Sequence, residues 1–221
     1  MKILILGLRP FLSLLLDQMK DGKFLREHEI WVMMADHRKD RPEFKRGFKN
    51  LFKKIRHWFK GPKKLEQMLL NYDLWVYKKN LKIIMNELNP LPDVSFLSEF
   101  KNIKFIQYPG DQNLKKIMEF FVFDLMIIAT FAKKLSKPIY TFPRLGTINI
   151  HPSILPSLRG GDPTYVQLCD TRYLRGSTLM EVDDGWDTGP IISQKESLDY
   201  FLCSNAELRK RAAVQAGYLL E

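Results

Sequence analysis

The stretch from Thr147 to Pro163, TINIHPSILPSLRGGDP, leaves the chain few ways to fold. It starts as a short apolar run of strand length, and Pro152, Pro156, Gly160 and Gly161 then stop that strand and hold an irregular loop around its tip. Alternate side chains of a strand share a face, so Asn149 and His151 point to one side at the strand's C-terminal end. Open α/β sheets place their ligands at such ends. Downstream, EVDDGWDTGPII from Glu181 to Ile192 reads as an acidic loop running into a short apolar strand. Asn, His and Asp converging on one spot supply a hydrogen-bond donor, a proton shuttle and a group that orients the shuttle.

The rest of the chain supplies strands and helices to support that tip. Lys2–Gly7 (KILILG) is an apolar run of the kind a parallel sheet buries on both faces. A helix is predicted over Pro10–Met19 and a second strand over Glu29–Ala35, giving a β-α-β opening. Leu65–Leu88 reads as helical and Asn89–Asp93 as a loop. Strands follow at Ile103–Gln107, Phe123–Thr130, Leu145–Ile150, Ser177–Val182 and Pro190–Ser193, with helices at Asn113–Phe120 and Thr164–Asp170. Ser204 and Glu207 have the spacing of a capping box opening a final helix. The expected class is α/β, with a mostly parallel central sheet flanked by helices. Gly7 lacks glycine partners at the G-x-G-x-x-G spacing of a dinucleotide site.

With 221 residues, 45% of them hydrophobic, the chain is long enough to bury a core. Cys169 and Cys203 form no disulfide framework, and no Cys/His set has metal-ligand spacing. Arg9-Pro10 and Asp17 break the N-terminal apolar run, which argues against a signal peptide. No apolar run reaches the roughly 18 residues of a membrane span. A reducing, cytoplasmic setting is the expectation. The net charge of +10 belongs to one segment: residues 38–64 carry twelve Lys/Arg against two acids, while the remainder balances. Within it Phe44, Phe48, Leu51, Phe52, Ile55, Trp58 and Phe59 recur at three- and four-residue steps, the pattern of a basic amphipathic helix. Such a helix either packs its aromatics on its own domain with solvated lysines, or docks on a phosphate-rich partner such as tRNA, or on an anionic membrane surface.

N-I-H-P-S-x-L-P-x-x-R-G-G-x-P, followed by G-S-T-L-M-E-V-D-D-G-W-D-T-G-P-I-I-x-Q, resembles the catalytic domain of the folate-dependent formyltransferases, a Rossmann-like fold. That group includes methionyl-tRNA, glycinamide ribonucleotide and sugar N-formyltransferases. The likeness runs from about Phe123 to Gln194, and is weaker over the first 35 residues. It implies N10-formyltetrahydrofolate as formyl donor, a primary amine as acceptor and no metal. Asn149, His151 and Asp187 fall on the family's catalytic positions. Asp187 is chosen over Asp183 and Asp184 because it precedes Thr-Gly-Pro. Folate contacts are implied at Thr130, Phe131, Ala132, Asp183, Asp184 and Gly185, and acceptor contacts at Gly7, Arg9, Pro10, Ser153 and Arg159. Phe131 equally suits core packing, and Arg159 equally suits tying down loop backbone.

The organisation expected from the resemblance is one catalytic domain over residues 1–221, with a basic insertion at about 38–64 and without the C-terminal barrel domain of methionyl-tRNA formyltransferases. On that basis a small acceptor comes first, a nucleotide-linked amino sugar. Methionyl-tRNA comes second and hydrolysis of the folate, as in the deformylases, third. A relic fold docking on nucleic acid or membrane is the non-enzymatic alternative. The Gly-Ser-Asn phosphate loop of glycinamide ribonucleotide formyltransferases is missing after the first strand, which counts against that acceptor. The sequence sets no oligomeric state.

Overall fold

The N-terminal apolar run forms the central strand β1 (Lys2–Leu8), in which Ile3, Leu4, Ile5 and Leu6 are all buried. It pairs in parallel with β2 (Glu29–Ala35) on one side and β4 (Leu125–Ala129) on the other, Ile5 lying opposite both Val32 and Ile127. The computed structural model describes residues 1–8, 11–35, 94–131, 133–170, 172–197 and 204–221. Residues 38–64, the helix expected at Leu65–Leu88, the loop Asn89–Asp93, and Arg9, Pro10, Ala132 and Cys203 lie outside them.

β3 (Ile103–Gln107) extends the sheet beyond β2, and β5 (Thr147–His151), β6 (Gly176–Glu181) and β7 (Ile191–Glu196) extend it beyond β4. The order is β3-β2-β1-β4-β5-β6-β7. Pairing is parallel from β3 through β5, and antiparallel for β5 with β6 and β6 with β7. This is the α/β architecture expected, and the order reverses between β1 and β4.

Alternation along β1 divides the core between the sheet's two faces. Ile3 and Ile5 pack with Leu12, Leu15 and Leu16 of α1 (Phe11–Gln18) and with Ala212, Ala213 and Ala216 of the C-terminal helix α6 (Asn205–Leu220). The small residues on α6 let the two helices approach closely: a Cβ at Gly217 would sit 2.8 Å from Gln18 Cγ. Leu4 and Leu6 pack on the other face with Leu114 and Met118 of α3 (Asp111–Phe121), and with Ile139 and Tyr140 of α4 (Lys137–Tyr140). The one-turn helix α2 (Phe24–Glu27) precedes β2, a 3-10 turn at Ser95–Glu99 precedes β3, and α5 (Pro163–Cys169) joins β5 to β6.

Element ends differ from the sequence reading where tertiary contacts decide them. β4 stops at Ala129 because Thr130 turns to φ 55°. β5 runs one residue further, to His151, because β6 offers Thr178 as its partner. Ser204 caps α6, its hydroxyl accepting from the Glu207 N–H at 3.2 Å. The Glu207 carboxylate instead accepts from Arg211 Nε at 3.1 Å, so half of the expected capping box forms.

Candidate active site

Three strands build the floor. Ile128 on β4, Asn149 on β5 and Met180 on β6 stand in one transverse register row. All three line an open cleft of about 490 Å³, a volume that includes solvent at its mouth. Its walls are Phe131, Leu135, Val182 and Trp186, with Lys133, Lys134, Asp183, Gly185 and Asp187 between them. Mostly apolar walls with a few convergent polar groups are the usual makeup of a small-molecule site.

His151 stands two residues beyond Asn149 on the same face, and is 4% exposed. Its Nε2 lies 3.0 Å from the Leu158 carbonyl oxygen. A carbonyl only accepts, so Nε2 carries the proton and donates. The other nitrogen, Nδ1, faces Asp187 Oδ1 at 3.5 Å. Asn149 Nδ2 donates to the same oxygen over a long 3.4 Å. Asp187 Oδ2 accepts from the Gly160 N–H at 2.9 Å. One carboxylate therefore ties together two strand residues and the proline- and glycine-framed loop. Burial pushes His151 below the ordinary imidazole value, and outweighs the upward pull of the Asp187 carboxylate and the Leu158 carbonyl.

The cleft is flanked by two non-glycine residues in the left-handed region, Thr130 at φ 55° and Asp187 at φ 53°. Such positions cost of order 1–3 kcal/mol each and concentrate at functional sites. Around Asp187 the acidic loop holds itself in shape. Asp183 Oδ1 accepts from Thr188 Oγ1 (2.7 Å) and the Gly185 N–H (2.8 Å), bonds that hold its carboxyl below the usual range. Asp184 turns away from the cleft to a second segment: Tyr140 Oη donates to its Oδ1 at 2.8 Å, and Lys134 Nζ donates to its carbonyl. Lys137 Nζ lies 3.7 Å from its Oδ2.

The structure thus gathers Asn149, His151 and Asp187, and brings Phe131, Asp183 and Gly185 to the cleft wall. Phe131 does both things open to it, lining the cleft while packing edge-on against Tyr108 at 5.1 Å. Asp184, expected as a folate contact, turns its carboxylate to Tyr140 and Lys137 and its carbonyl to Lys134. Ser153, expected as an acceptor contact, is fully buried, its hydroxyl donating to the Leu158 carbonyl at 2.7 Å, so it shapes the loop from beneath. Gly7 is buried at the C-terminal end of β1, where a Cβ would meet the Ala129 carbonyl at 2.5 Å; the close strand approach needs a glycine there. Thr130, the chain neighbour of Phe131, is half-buried and not among the residues lining the cleft, and Arg159 is exposed. Sequence reasoning missed Gly160 N–H, the Leu158 carbonyl, Tyr140 and Trp186. Backbone groups leave no trace in side-chain spacing, and only Trp186 had a signal, its place beside Asp187.

Residues 92–215 match the model of the family described as formyl transferase. The chain belongs to that family. Methionyl-tRNA formyltransferase of Syntrophus aciditrophicus is 38% identical over 108 residues, covering 48% of this chain and 35% of the relative. The enzyme of that name from Thermotoga maritima is 38% identical over 116 residues, 51% of this chain and 36% of the relative. The matched stretch therefore spans about a third of those relatives. Among solved structures, phosphoribosylglycinamide formyltransferase from Anaplasma phagocytophilum has a TM-score of 0.57 at 17% identity, covering 98% of this chain and 81% of that one. A sugar N-formyltransferase from a Shewanella species has a TM-score of 0.54 at 14% identity, covering 100% and 66%. At these identities the structural likeness shows the fold.

Proposed function

We propose that the chain transfers a formyl group from N10-formyltetrahydrofolate to a primary amine, and that the amine is the aminoacyl group of methionyl-tRNA. The observation that carries the reaction is the meeting of Asn149, His151 and Asp187 at the floor of a mostly apolar cleft, in a chain of the formyl transferase family. The flat apolar walls at Phe131, Leu135, Val182 and Trp186 suit a heteroaromatic ring such as a pterin.

Bound there, N10-formyltetrahydrofolate supplies the formyl carbon. Asn149, which among the described residues is engaged only by its long contact to Asp187, has an amide N–H to offer an oxygen that gains negative charge. His151 is neutral near pH 7, with the proton on Nε2 and the Nδ1 lone pair on the Asp187 side. It would take the proton that an attacking amine must lose and return it to the departing donor nitrogen as the formyl C–N bond breaks. Asp187, held by the Gly160 N–H, stabilises the imidazolium so formed and keeps the ring in register.

The acceptor reading departs from the sequence expectation of a small amino sugar. Support for tRNA is the 38% identity to proteins named methionyl-tRNA formyltransferase, while the sugar N-formyltransferase neighbour, at 14%, speaks for the fold alone. Twelve Lys/Arg within residues 38–64 also suit a polyanionic partner. The test is a formyl-transfer assay offering methionyl-tRNA and a panel of nucleotide-linked 4-amino sugars with the same donor. Formylation of the tRNA supports the reading. Formylation of a sugar alone overturns the acceptor, and release of formate with neither amine formylated overturns the transfer itself.

A further inference from the structure

The loop 158–162 gives the site three of its fixed points. Its Leu158 carbonyl accepts from His151 Nε2 and from Ser153 Oγ, and its Gly160 N–H donates to Asp187. Yet the loop contains Gly160 at φ +104° and Gly161, and among the described residues other than their chain neighbours no atom lies within 4 Å of where either Cβ would stand. Two adjacent glycines in open space carry more backbone freedom than any other pair, so something outside the loop must hold it.

Asp162 is where that happens. It occupies the N-cap position of α5, where an aspartate ordinarily accepts from the helix's own first amides, but it makes no such bond. Its Oδ1 accepts instead from Thr164 Oγ1 at 3.0 Å and from Arg209 Nη2 at 2.7 Å. Arg209 lies 47 residues away on α6, with 19% of its side chain exposed against 45% for Asp162. The helix that carries it is anchored to the sheet by the Ser177 hydroxyl, which donates to the Ala212 carbonyl at 2.7 Å, and by the small-residue face against α1. A half-exposed ion pair adds little to overall stability, so the contact matters for where it puts the loop.

We propose that Arg209, acting through Asp162, is a positioning residue that pins the glycine loop to the C-terminal helix, and so fixes the Gly160 N–H on Asp187 and the Leu158 carbonyl on His151. The proposal rests on the formyl-transfer reading for its kinetic consequence but not for its structural one. Two variants test it: R209A removes the contact outright, and D162N removes the charge at the same side-chain size while leaving an amide oxygen that can still accept. Two readouts are compared with wild type.

The first readout needs no substrate: amide hydrogen exchange across residues 158–162. Exchange at Gly160 should quicken by up to about fivefold, which converts to about 1 kcal/mol, the upper end for such a pair. Protection in β1, β4 and α6 should not change. The second is turnover. kcat should fall by as much as on the order of 10²-fold with the donor Kd unchanged, since a small misplacement of catalytic groups costs that much. R209K should recover part of the loss, and R209A combined with D162N should be no worse than R209A alone. Unchanged exchange at 158–162 in folded R209A would overturn the pin whether or not the protein formylates anything. Quickened exchange with normal kcat would overturn its role in positioning. Inactive wild type whose loop still loosens in the variants would defeat the formyl-transfer reading and leave the pin standing.

Discussion

Two carboxylates three residues apart sit in opposite surroundings. Asp187 meets His151 where the two side chains are 10% and 6% exposed, whereas Asp184 meets Lys137 where both are 68% exposed. In the first pair burial sets the charge state: it lowers the proton affinity of His151 although an anion lies beside it. In the second, water screens the attraction and the pair is worth little. The tether at the rim is held instead by the neutral donor Tyr140 and by the Lys134 bond to backbone. Proximity in sequence says nothing about this difference, which comes from the depth of β5 in the sheet.

The comparison breaks most visibly if the buried set is cut. N149A removes an amide donor aimed into the cleft, and kcat should fall on the order of 10²–10³-fold with the fold intact by circular dichroism. D187N should lower the rate less. It deletes the carboxylate that raises the His151 proton affinity, so the acid limb of the pH–rate profile should move to lower pH. A limb that moves up would mean that Asp187 acts some other way.

Stability should show the same depth. The folded proton affinity of His151 lies below its unfolded value, so the unfolded chain binds more protons as pH falls through about 6.5. The contribution of a neutral His151 is complete above that pH and is lost below it. Urea midpoints of wild type should therefore decline from about pH 7 to 5.5 more steeply than those of H151Q. At the rim, Y140F removes one hydrogen bond to Asp184 and should raise the donor KM a few-fold with kcat little changed. K137Q should move neither kcat nor stability beyond about 0.5 kcal/mol.

Much of the sheet was legible because its central strands β1, β2 and β4 are short apolar runs buried on both faces, while the edge strand β3 keeps strand length between clear breaks. Glu29–Ala35 and Ile103–Gln107 come out with the bounds read from sequence. The side chains of the site were legible too, since period two puts Asn149 and His151 together and the family pattern picks Asp187. Less legible was whatever depends on backbone atoms or on distant elements. The Leu158 carbonyl that fixes the His151 tautomer carries no side-chain signature, and Asp162 looks like a helix cap until Arg209 is seen beside it. Gly189 serves a close approach that the sequence does not show, a Cβ there standing 2.0 Å from the Glu181 carbonyl. The balance at His151 was not legible either: pairing with Asp187 is visible in a motif, but the cost of burial is not.

The most direct test is single-turnover formyl transfer from N10-formyltetrahydrofolate to methionyl-tRNA, measured for wild type and H151A from about pH 5 to 9. Wild type should give a formylated product at a rate whose acid side carries, besides the titration of the acceptor amine itself, a His151 limb lying below pH 6.5. H151A should lose most of that rate and all of the limb. An H151A protein that keeps both the wild-type rate and the same limb would contradict the claim that a buried, neutral His151 beside Asp187 moves the proton.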